Sequence, residues 1–598
     1  MTMPTNKTMK GGEFLIRPLL PEELFIPEEF SEEQKMIGQT CIDFIKTEIQ
    51  PRLEEMDGAK DSSVMVDMMD KAGNLGLLGT SVPEEYGGFG MDFNTSMLVA
   101  EACGSGHSFA VALSAHTGIG TLPILYYGTE EQKRHYLPKL ASGEWKAAYC
   151  LTEPDSGSDA NAAKSKAVLS EDGKHYLITG QKMWITNGGF ADVFIVFAKI
   201  ADDKNLTAFI VEKSFGGITM NEEERKMGIK GSSTRQIFFN DCPVPVDNLL
   251  FKREGGFKIA VNILNIGRIK LAAAVIGAGK RVIDQAVQYA NDRKQFGQSL
   301  HQFGAIKYKI AEMIVKNYAS ESACYRVGQN IDDTILELKA AGMNDSEAKL
   351  KGVEQFAIEC ALLKVHGSET LDYSVDEGVQ IYGGMGFSAE APMDRAYRDS
   401  RINRIFEGTN EINRLLAVGT VIKRAMKGEL DIMTAAMAVG KEILGVPDFS
   451  TSVPDGVFGK EYKVIANLKK ALLMSAGGAL QKYTTEIENE QEILMSLADM
   501  MIEIYVAESV LVRVDKLIQQ SGEASNEIAK ECALVYLHEA VDKVHHHGKE
   551  VITGFAAGDE LNVMLMGLKR FTKIDPKNLK EARRKIADAA ILKMGYIF

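Results

Sequence analysis

The chain has 598 residues, of which 45% are hydrophobic and 25% are charged, and its formal net charge is −14. This composition indicates a globular protein of several domains and excludes disordered and fibrous classes. The acidic excess argues against a nucleic-acid partner, because such a partner requires a basic surface that neutralises phosphates.

The seven cysteines are scattered, without a CxxC pair or a zinc-type His/Cys spacing. We therefore expect reduced thiols, no metal site and a cytoplasmic location. The first residues lack the apolar core of a signal peptide, and no uninterrupted apolar run reaches the roughly 20 residues that span a bilayer.

The predicted elements begin with an α-helical domain at 30–146. Ser31 and Gln34 have the spacing of a capping box, and apolar residues then recur every four positions. At 147–255 the chain changes to short β-type segments separated by Gly, Asn and Asp turns. Because these turns leave no room for crossover helices, the pattern predicts an antiparallel barrel or sandwich rather than a parallel sheet.

Long helical patterns return at 256–430, beginning with a segment near Phe257. A Gly- and Pro-bearing stretch at 445–460 predicts a linker, and the last part of the chain, 445–598, reads as an additional helical domain. The predicted fold class is therefore mainly α with a central β domain.

Several motifs could carry chemistry, but each has a structural alternative. The loop at 149–159 offers hydroxyls beside Gly157, which suits phosphate binding, yet it could be an ordinary polar turn. Trp184 could cover a planar cofactor, although taken alone a tryptophan in a β segment is more often core. The glycines that start at Gly384 match a loose dinucleotide-binding pattern, but their helical flank and Pro392 favour a close backbone approach instead.

The segment at 404–414 matters most. Glu407 follows two apolar residues, so desolvation would raise the pKa of its carboxyl and make it a better base. The alternative is an acid at the start of the helix that follows. Three histidines, His545–His547, lie near Gly548 at an apparent helix end, where cations suit the helix dipole. Adjacent helical residues do not share a face, which argues against a metal there.

In combination and in order, these motifs resemble the acyl-CoA dehydrogenase family. The resemblance rests on YCLTEPDSGSD, GQKMWITNGG, RxxFGxxL, QIYGGMGF and IFEGTNEI, and it covers roughly 30–430. It implies an N-terminal α-helical domain, an antiparallel β-barrel or sandwich and a four-helix bundle that carries the base. The helical tail is similar to that of the very-long-chain branch.

The resemblance also implies that FAD lies without a covalent bond between the β domain and the bundle. Four of its contacts would hold the adenine half across a subunit interface, namely Arg293, Phe296, Gln380 and Gly384. A homodimer or dimer of dimers is therefore implied. The other implied FAD contacts are Tyr149, Leu151, Thr152, Gly157, Ser158, Trp184, Ile185, Thr186, Thr409 and Glu411.

The implied reaction is the first step of fatty acid β-oxidation, in which a fatty acyl-CoA becomes a trans-2-enoyl-CoA. Glu407 would remove the pro-R α-proton while the β-hydrogen passes as hydride to flavin N5. Some branches carry the base at the position of Gly267, which cannot serve here. The implied substrate contacts are Ser158, Asn265, Arg268 and Gly408, and the small residues Ala115 and Gly118 suggest a pocket for long chains.

The partners implied are acyl-CoA and, as electron acceptor, electron-transfer flavoprotein. Two alternatives remain open, an acyl-CoA oxidase that uses oxygen and a non-enzymatic flavoprotein that acts as an assembly factor. The C-terminal domain is a candidate for peripheral membrane contact.

Overall fold

Residues 8–444 and 456–598 are described in the computed structural model, so most of the predicted linker at 445–460 lies outside the described residues. The first part of the chain is helical, as predicted. Its capping box is confirmed, because Ser31 Oγ accepts a bond from the Gln34 N–H and Gln34 Oε1 accepts one from the Ser31 N–H. The helices are α1 (Glu32–Phe44), α2 (Leu53–Gly58), α3 (Ser63–Asn74), α4 (Phe93–Cys103), α5 (Ser108–Ser114), α6 (Leu122–Tyr127) and α7 (Glu130–Ser142).

A central β domain follows, and its strands form one sheet. The strands are β1 (Ala147–Cys150), β2 (Lys166–Leu169), β3 (His175–Thr186), β4 (Val193–Ile200), β5 (Thr207–Glu212), β6 (Ile218–Met220), β7 (Thr234–Pro245) and β8 (Leu249–Leu250). Their order is β6-β7-β3-β2-β4-β5-β8, with β1 paired to β4.

Most neighbouring strands are antiparallel, but β1 and β2 each pair in parallel with β4, so the prediction of a wholly antiparallel domain is wrong in this detail. The chain reaches β4 through the hairpin of β2 and β3 instead of through a crossover helix. Parallel pairing therefore does not require the helical connection on which the prediction relied.

Long helices build the next region. They are α8 (Gly256–Asp292), α9 (Gly304–Ala340), α10 (Asp345–Gln355), α11 (Ala357–Tyr382), α12 (Pro392–Ser400) and α13 (Asn410–Met426). A short hairpin of β9 (Lys294–Gln295) and β10 (Gln298–Ser299) separates α8 from α9. Helix α11 packs against α8, α9 and α13, and α8 packs against α9, which gives the bundle that underlies the site.

The last part of the chain is helical as well and packs onto this bundle. Its helices are α14 (Ile432–Leu444), α15 (Gly459–Tyr483), α16 (Gln491–Ser521), α17 (Glu527–Phe555), α18 (Gly558–Phe571) and α19 (Leu579–Lys593). Helix α16 packs on α9 and α13, and α19 packs on α9. The predicted fold class, mainly α with a central β domain and an extra C-terminal helical domain, is confirmed.

One local prediction is wrong, because Gly548 does not end a helix. It lies inside α17, and the three histidines before it are therefore in mid-helix. A Cβ at Gly548 would come within 2.7 Å of Leu568 Cδ1 on α18. The glycine thus permits close packing between two helices, a requirement that the local sequence does not reveal.

Within the described residues, two stretches could cross a membrane by length and composition alone, Ser108–Tyr127 and Gly256–Asp292. Their most apolar windows are 72% and 67% buried inside the protein. Core helices pass the same test, so this is weak support for a membrane span.

Candidate active site

Glu407 lies in the loop that joins α12 to α13, and its backbone is in the left-handed region. Its φ is 59°, and Gly408 follows with a φ of 82°. The next residue, Thr409, caps α13 by accepting a bond from the Ile412 N–H at 3.3 Å. A helix does begin here, but Glu407 precedes the cap instead of belonging to the first turn. Left-handed backbone at a non-glycine residue costs energy and persists where surrounding contacts fix it.

Three side chains fix this loop by donating to its carbonyl oxygens. Arg268 Nε donates to Glu407 O at 3.1 Å, and Lys364 Nζ donates to Gly408 O at 2.7 Å. Asn413 Nδ2 also donates to Gly408 O, at 2.8 Å. All three side chains are buried, so these bonds are shielded from water and hold the strained turn.

The Glu407 carboxyl has the burial and the pKa that suit a base. Its Oε2 atom is buried and has no hydrogen-bond partner among the described residues. Burial raises the pKa of Glu407 to about 7, while the positive charges of Arg268 and Lys364 act in the opposite direction. A carboxyl with a pKa near neutrality can take a proton from a weak acid and release it again.

Gly267 on α8 faces this carboxyl. A Cβ at position 267 would lie 2.6 Å from Glu407 Oε2, closer than any real contact. The two positions named by the family resemblance for the base are therefore neighbours in space. The absence of a side chain at 267 makes the room that the carboxyl occupies.

A cavity adjoins Glu407. Its wall is mostly apolar and comes from α5, the segment after it, α8 and the loop before α13. Ala115 and Gly118 belong to this wall, as does Thr186 from the end of β3. The mostly apolar lining suits the alkyl part of a small-molecule substrate beside the carboxyl.

The β-domain motifs are joined by a buried ion pair that the sequence reading did not find. Lys182 Nζ donates to Glu153 Oε1 at 2.7 Å and to Leu151 O at 3.3 Å. The Met183 N–H donates to Thr152 O at 2.9 Å. A lysine and a glutamate in β-type sequence look like surface residues, so only the fold shows that they tie the first motif to the second.

Trp184 is 52% exposed and has a φ of 60°, so its interpretation as a core residue is wrong. The left-handed backbone turns the ring out of the β domain. Ile185, its neighbour, is buried at 2% exposure. Tyr149 and Leu151 are buried too, and the Tyr149 hydroxyl has no hydrogen-bond partner among the described residues.

The remaining predicted residues separate into two groups. Asn265 is buried and accepts a bond from Arg268 at 2.7 Å, which places it beside the Glu407 loop. The other group is exposed, and none of its described members lines the cavity. It consists of Gly157, Ser158, Arg293, Phe296, Gln380, Gly384 and Glu411.

One group of side chains could hold a metal ion, counting only the residues that the structure describes. Ligand atoms of His546, His547 and Glu550 lie within 4.8 Å of one another on the surface of α17. His546 and His547 each contact Glu550, which lies one turn away from both. In the sequence, this group lies far from the residues predicted to act in catalysis or in cofactor binding.

Models of acyl-CoA dehydrogenase domains match four stretches of the chain. The N-terminal domain matches residues 31–144, and the middle domain matches residues 148–242. One model of the C-terminal domain matches residues 254–421, and a second C-terminal domain model matches residues 467–570.

Similar proteins agree. A probable acyl-CoA dehydrogenase of Bacillus subtilis (strain 168) is 46% identical over 588 residues, 98% of each chain. The mitochondrial very long-chain specific acyl-CoA dehydrogenase of Homo sapiens is 38% identical over 541 residues, 83% of this chain and 76% of that protein. The crystal structure of an acyl-CoA dehydrogenase complexed with FAD from Bacillus anthracis matches with a TM-score of 0.95 and 45% identity, covering 99% of this chain and 100% of that one. The chain belongs to the acyl-CoA dehydrogenase family.

Proposed function

We propose that this chain catalyses the FAD-dependent α,β-dehydrogenation of fatty acyl-CoA thioesters, with Glu407 as the base. The observation that carries the proposal is the unpartnered carboxylate oxygen of Glu407 beside a mostly apolar cavity. A buried carboxylate oxygen without a partner is energetically unfavourable, and such groups cluster at functional sites. Removal of an α-proton from a bound thioester is the reaction that such a group can perform.

The residues present fit FAD. Trp184 offers a half-exposed ring at the edge of the β domain, and Thr186 lines the cavity of Glu407. A Cβ at Gly157 would meet no atom within 4 Å, so this loop leaves open space for a bulky group. We propose that Tyr149, Leu151, Thr152, Ser158, Ile185, Thr409 and Glu411 complete the contacts. When bound, FAD supplies the acceptor for the β-hydrogen and its electron pair.

The thioester carbonyl must be polarised, because an α-proton is otherwise a poor acid. The backbone N–H of Glu407 donates no hydrogen bond within the described residues. The side chains that donate to Glu407 O and Gly408 O hold the loop in place. The Glu407 N–H can therefore donate to a substrate oxygen as negative charge develops there. We propose that Ser158, Asn265, Arg268 and Gly408 position the rest of the substrate.

Long acyl chains are the substrates we propose. Gly118 lines the cavity, and a Cβ at this position would meet no atom within 4 Å, so the wall is recessed there. Ala115 lines the same wall with a side chain of one carbon. A mostly apolar cavity buries an alkyl chain favourably, by about 0.8 kcal/mol for each methylene.

We propose that the active form is a homodimer or a dimer of dimers. Phe296 is 93% exposed and Phe387 is 89% exposed, and large aromatic rings this exposed favour burial in an interface. Arg293, Gln380 and Gly384 belong to the same two exposed motifs. The electron acceptor we propose is electron-transfer flavoprotein.

The C-terminal helical domain is proposed to contact membrane surfaces. Met433 and Met437 on α14 are 55% and 60% exposed, and Met566 on α18 is 72% exposed. Apolar side chains that face water on the surface of a helix can enter the boundary between headgroups and acyl chains.

The test of the proposed function compares wild type with Glu407→Gln by anaerobic mixing with palmitoyl-CoA while flavin absorbance is followed. The variant keeps the shape of the side chain, so it should retain FAD and lose nearly all bleaching of the flavin. Glu390→Gln, a change at an exposed glutamate outside the cavity, is the control. Bleaching of Glu407→Gln at the wild-type rate would remove Glu407 from this role. Peroxide formed in air in proportion to substrate would indicate an oxidase instead.

A further inference from the structure

The cavity beside Glu407 shares a wall with a second cavity. Three side chains border both cavities, namely Leu122, Ile266 and Lys270. The first cavity is mostly apolar, whereas the second has a lining in which polar and apolar residues are mixed. Lys270 therefore lies in the wall between a mostly apolar cavity and a cavity of mixed polarity.

Lys270 has no counter-ion. It is partly buried, its hydrogen-bond partner is Ser81 Oγ at 3.4 Å, and no carboxylate of the described residues forms an ion pair with it. Burial lowers the pKa of Lys270 to about 8, with no opposing contribution from a nearby anion. A cation removed from water without a partner is unfavourable, and an arriving anion would relieve that cost.

The other charged side chains of the second cavity have partners, and among them Asp92 accepts the Thr95 N–H at 2.6 Å. Asp332 accepts two backbone N–H groups at the start of α4, each at 2.9 Å. Asp345 pairs with Lys339 at 2.7 Å and with Lys349 at 3.0 Å. Lys270 thus differs from the other two lysines of this lining, which share a carboxylate.

Lys270 is also close to the reacting end of the first cavity. It follows Gly267, the residue that faces the Glu407 carboxyl, by three positions on α8. Residues at this spacing lie on nearly the same side of a helix, about 4.5 Å apart along its axis. An acyl chain held beside Glu407 and folded along the apolar wall can therefore bring its distal end to the ammonium group.

We propose that Lys270 forms an anion subsite in the wall between the two cavities, and that the enzyme accepts acyl-CoAs whose distal end carries a carboxylate. This inference rests on the proposed function and names a substrate class for it. A carboxylate supplies the missing counter-ion, whereas a methyl end leaves the cation unpaired against an apolar chain. The mixed lining of the second cavity accommodates the water that remains around the carboxylate.

The experiment measures kcat/KM by flavin reduction for pairs of a diacid and a monoacid acyl-CoA of equal chain length. The shortest pair is adipoyl-CoA and hexanoyl-CoA, and the longest is hexadecanedioyl-CoA and palmitoyl-CoA. At one acyl chain length or more, we expect Lys270→Met to lower the ratio of kcat/KM for the diacid substrate to kcat/KM for the monoacid substrate by about tenfold or more. A hydrogen bond to a charged group is worth that much. Lys270→Arg should keep most of the ratio. The same Lys270→Met change should raise kcat/KM for the monoacid of that length.

The control is Lys349→Met, which removes a lysine that already pairs with Asp345. It should change the ratio by less than about twofold, because its charge is neutralised locally. If Lys270→Met leaves the ratio unchanged at every length while wild type bleaches with palmitoyl-CoA, the subsite is refuted and the proposed function stands. If none of the acyl-CoAs bleaches the flavin of the wild type, the proposed function itself fails.

Discussion

Burial and two neighbouring cations set the basicity of the Glu407 carboxyl. Burial raises its pKa, and the positive charges of Arg268 and Lys364 act in the opposite direction. The resulting pKa is about 7. Because the base must be ionised to take the α-proton, kcat/KM should rise with pH through about 7 and level off above it. A pH profile of flavin reduction from about pH 5.5 to about pH 8.5 checks this. A profile that is flat across that range would contradict the assignment.

Lys364 offers a second test at the residue scale, as a positioning residue. It holds Gly408 O at 2.7 Å and Asn410 Oδ1 at 2.8 Å, and its charge lowers the pKa of Glu407. Lys364→Met should therefore move the rising part of the pH profile to higher pH and reduce kcat. A purely structural role would lower activity equally at every pH. Lys309→Met, at a lysine paired with Glu377 away from the cavity, is the control.

At this scale the sequence predicted Glu407 as the base but did not predict the side chains that hold its loop. Glu407 stands in a recognisable motif with apolar neighbours. Lys364 lies in an otherwise apolar helical stretch, which was a signal that could have been used. Asn413 gave none, because an asparagine near a helix start is common and its contact with the loop depends on a side chain orientation that the sequence does not fix.

Among the elements, the loop between β1 and β2 depends on the buried pair of Lys182 and Glu153. Lys182 is fully buried, and Glu153 also accepts the Lys164 and Ser165 N–H groups. Removal of one partner from a buried pair leaves an uncompensated charge, at a cost of about 3 kcal/mol.

Glu153→Gln should therefore lower the free energy of unfolding and weaken FAD retention, as measured by chemical denaturation and by flavin release on dilution. The matched control lies in the same loop. Asp155 and Lys164 form an ion pair that is 73% and 75% exposed, so Asp155→Asn should cost less than about 1 kcal/mol. Equal effects of the two changes would show that burial of the pair is unimportant.

The order of helices and strands followed from the sequence because each element has its own periodicity of apolar residues. The long helix α8 was predicted almost to its ends, from Phe257 instead of Gly256. The parallel pairing of β1 and β2 with β4 was not predicted, since register between distant strands depends on contacts and not on local pattern.

For the whole molecule, the C-terminal helices are part of the same core as the bundle. Arg513 on α16 is buried and donates to Glu321 on α9 at 2.7 Å, and Arg326 on α9 pairs with Glu508 on α16 at 3.1 Å. Arg513 also bonds to Glu28 near the start of the described chain. Such buried pairs make removal of the last helices destabilising for the bundle, because charges on α9 would lose their partners.

Assembly is the remaining test at this scale. Arg293 is exposed, and its side chain has no hydrogen bond or ion pair within the described residues. If it binds FAD across an interface, Arg293→Ala should weaken FAD retention and self-association together. Lys294→Ala, at the next exposed residue of the same hairpin, should leave both unchanged. Normal FAD content in a dissociated Arg293→Ala protein would contradict the cross-subunit assignment.

The sequence by itself determined the fold class, the order of the elements and the family motifs, because these depend on local periodicity and on residue types at fixed spacing. Only the tertiary structure showed that Gly267 and Glu407 adjoin and that Lys364 and Asn413 hold the loop. It alone showed that Gly548 is in mid-helix and that Lys270, which forms no ion pair among the described residues, borders two cavities. These facts depend on which distant side chains share a buried space, and burial is what changes a pKa or leaves a charge without a partner.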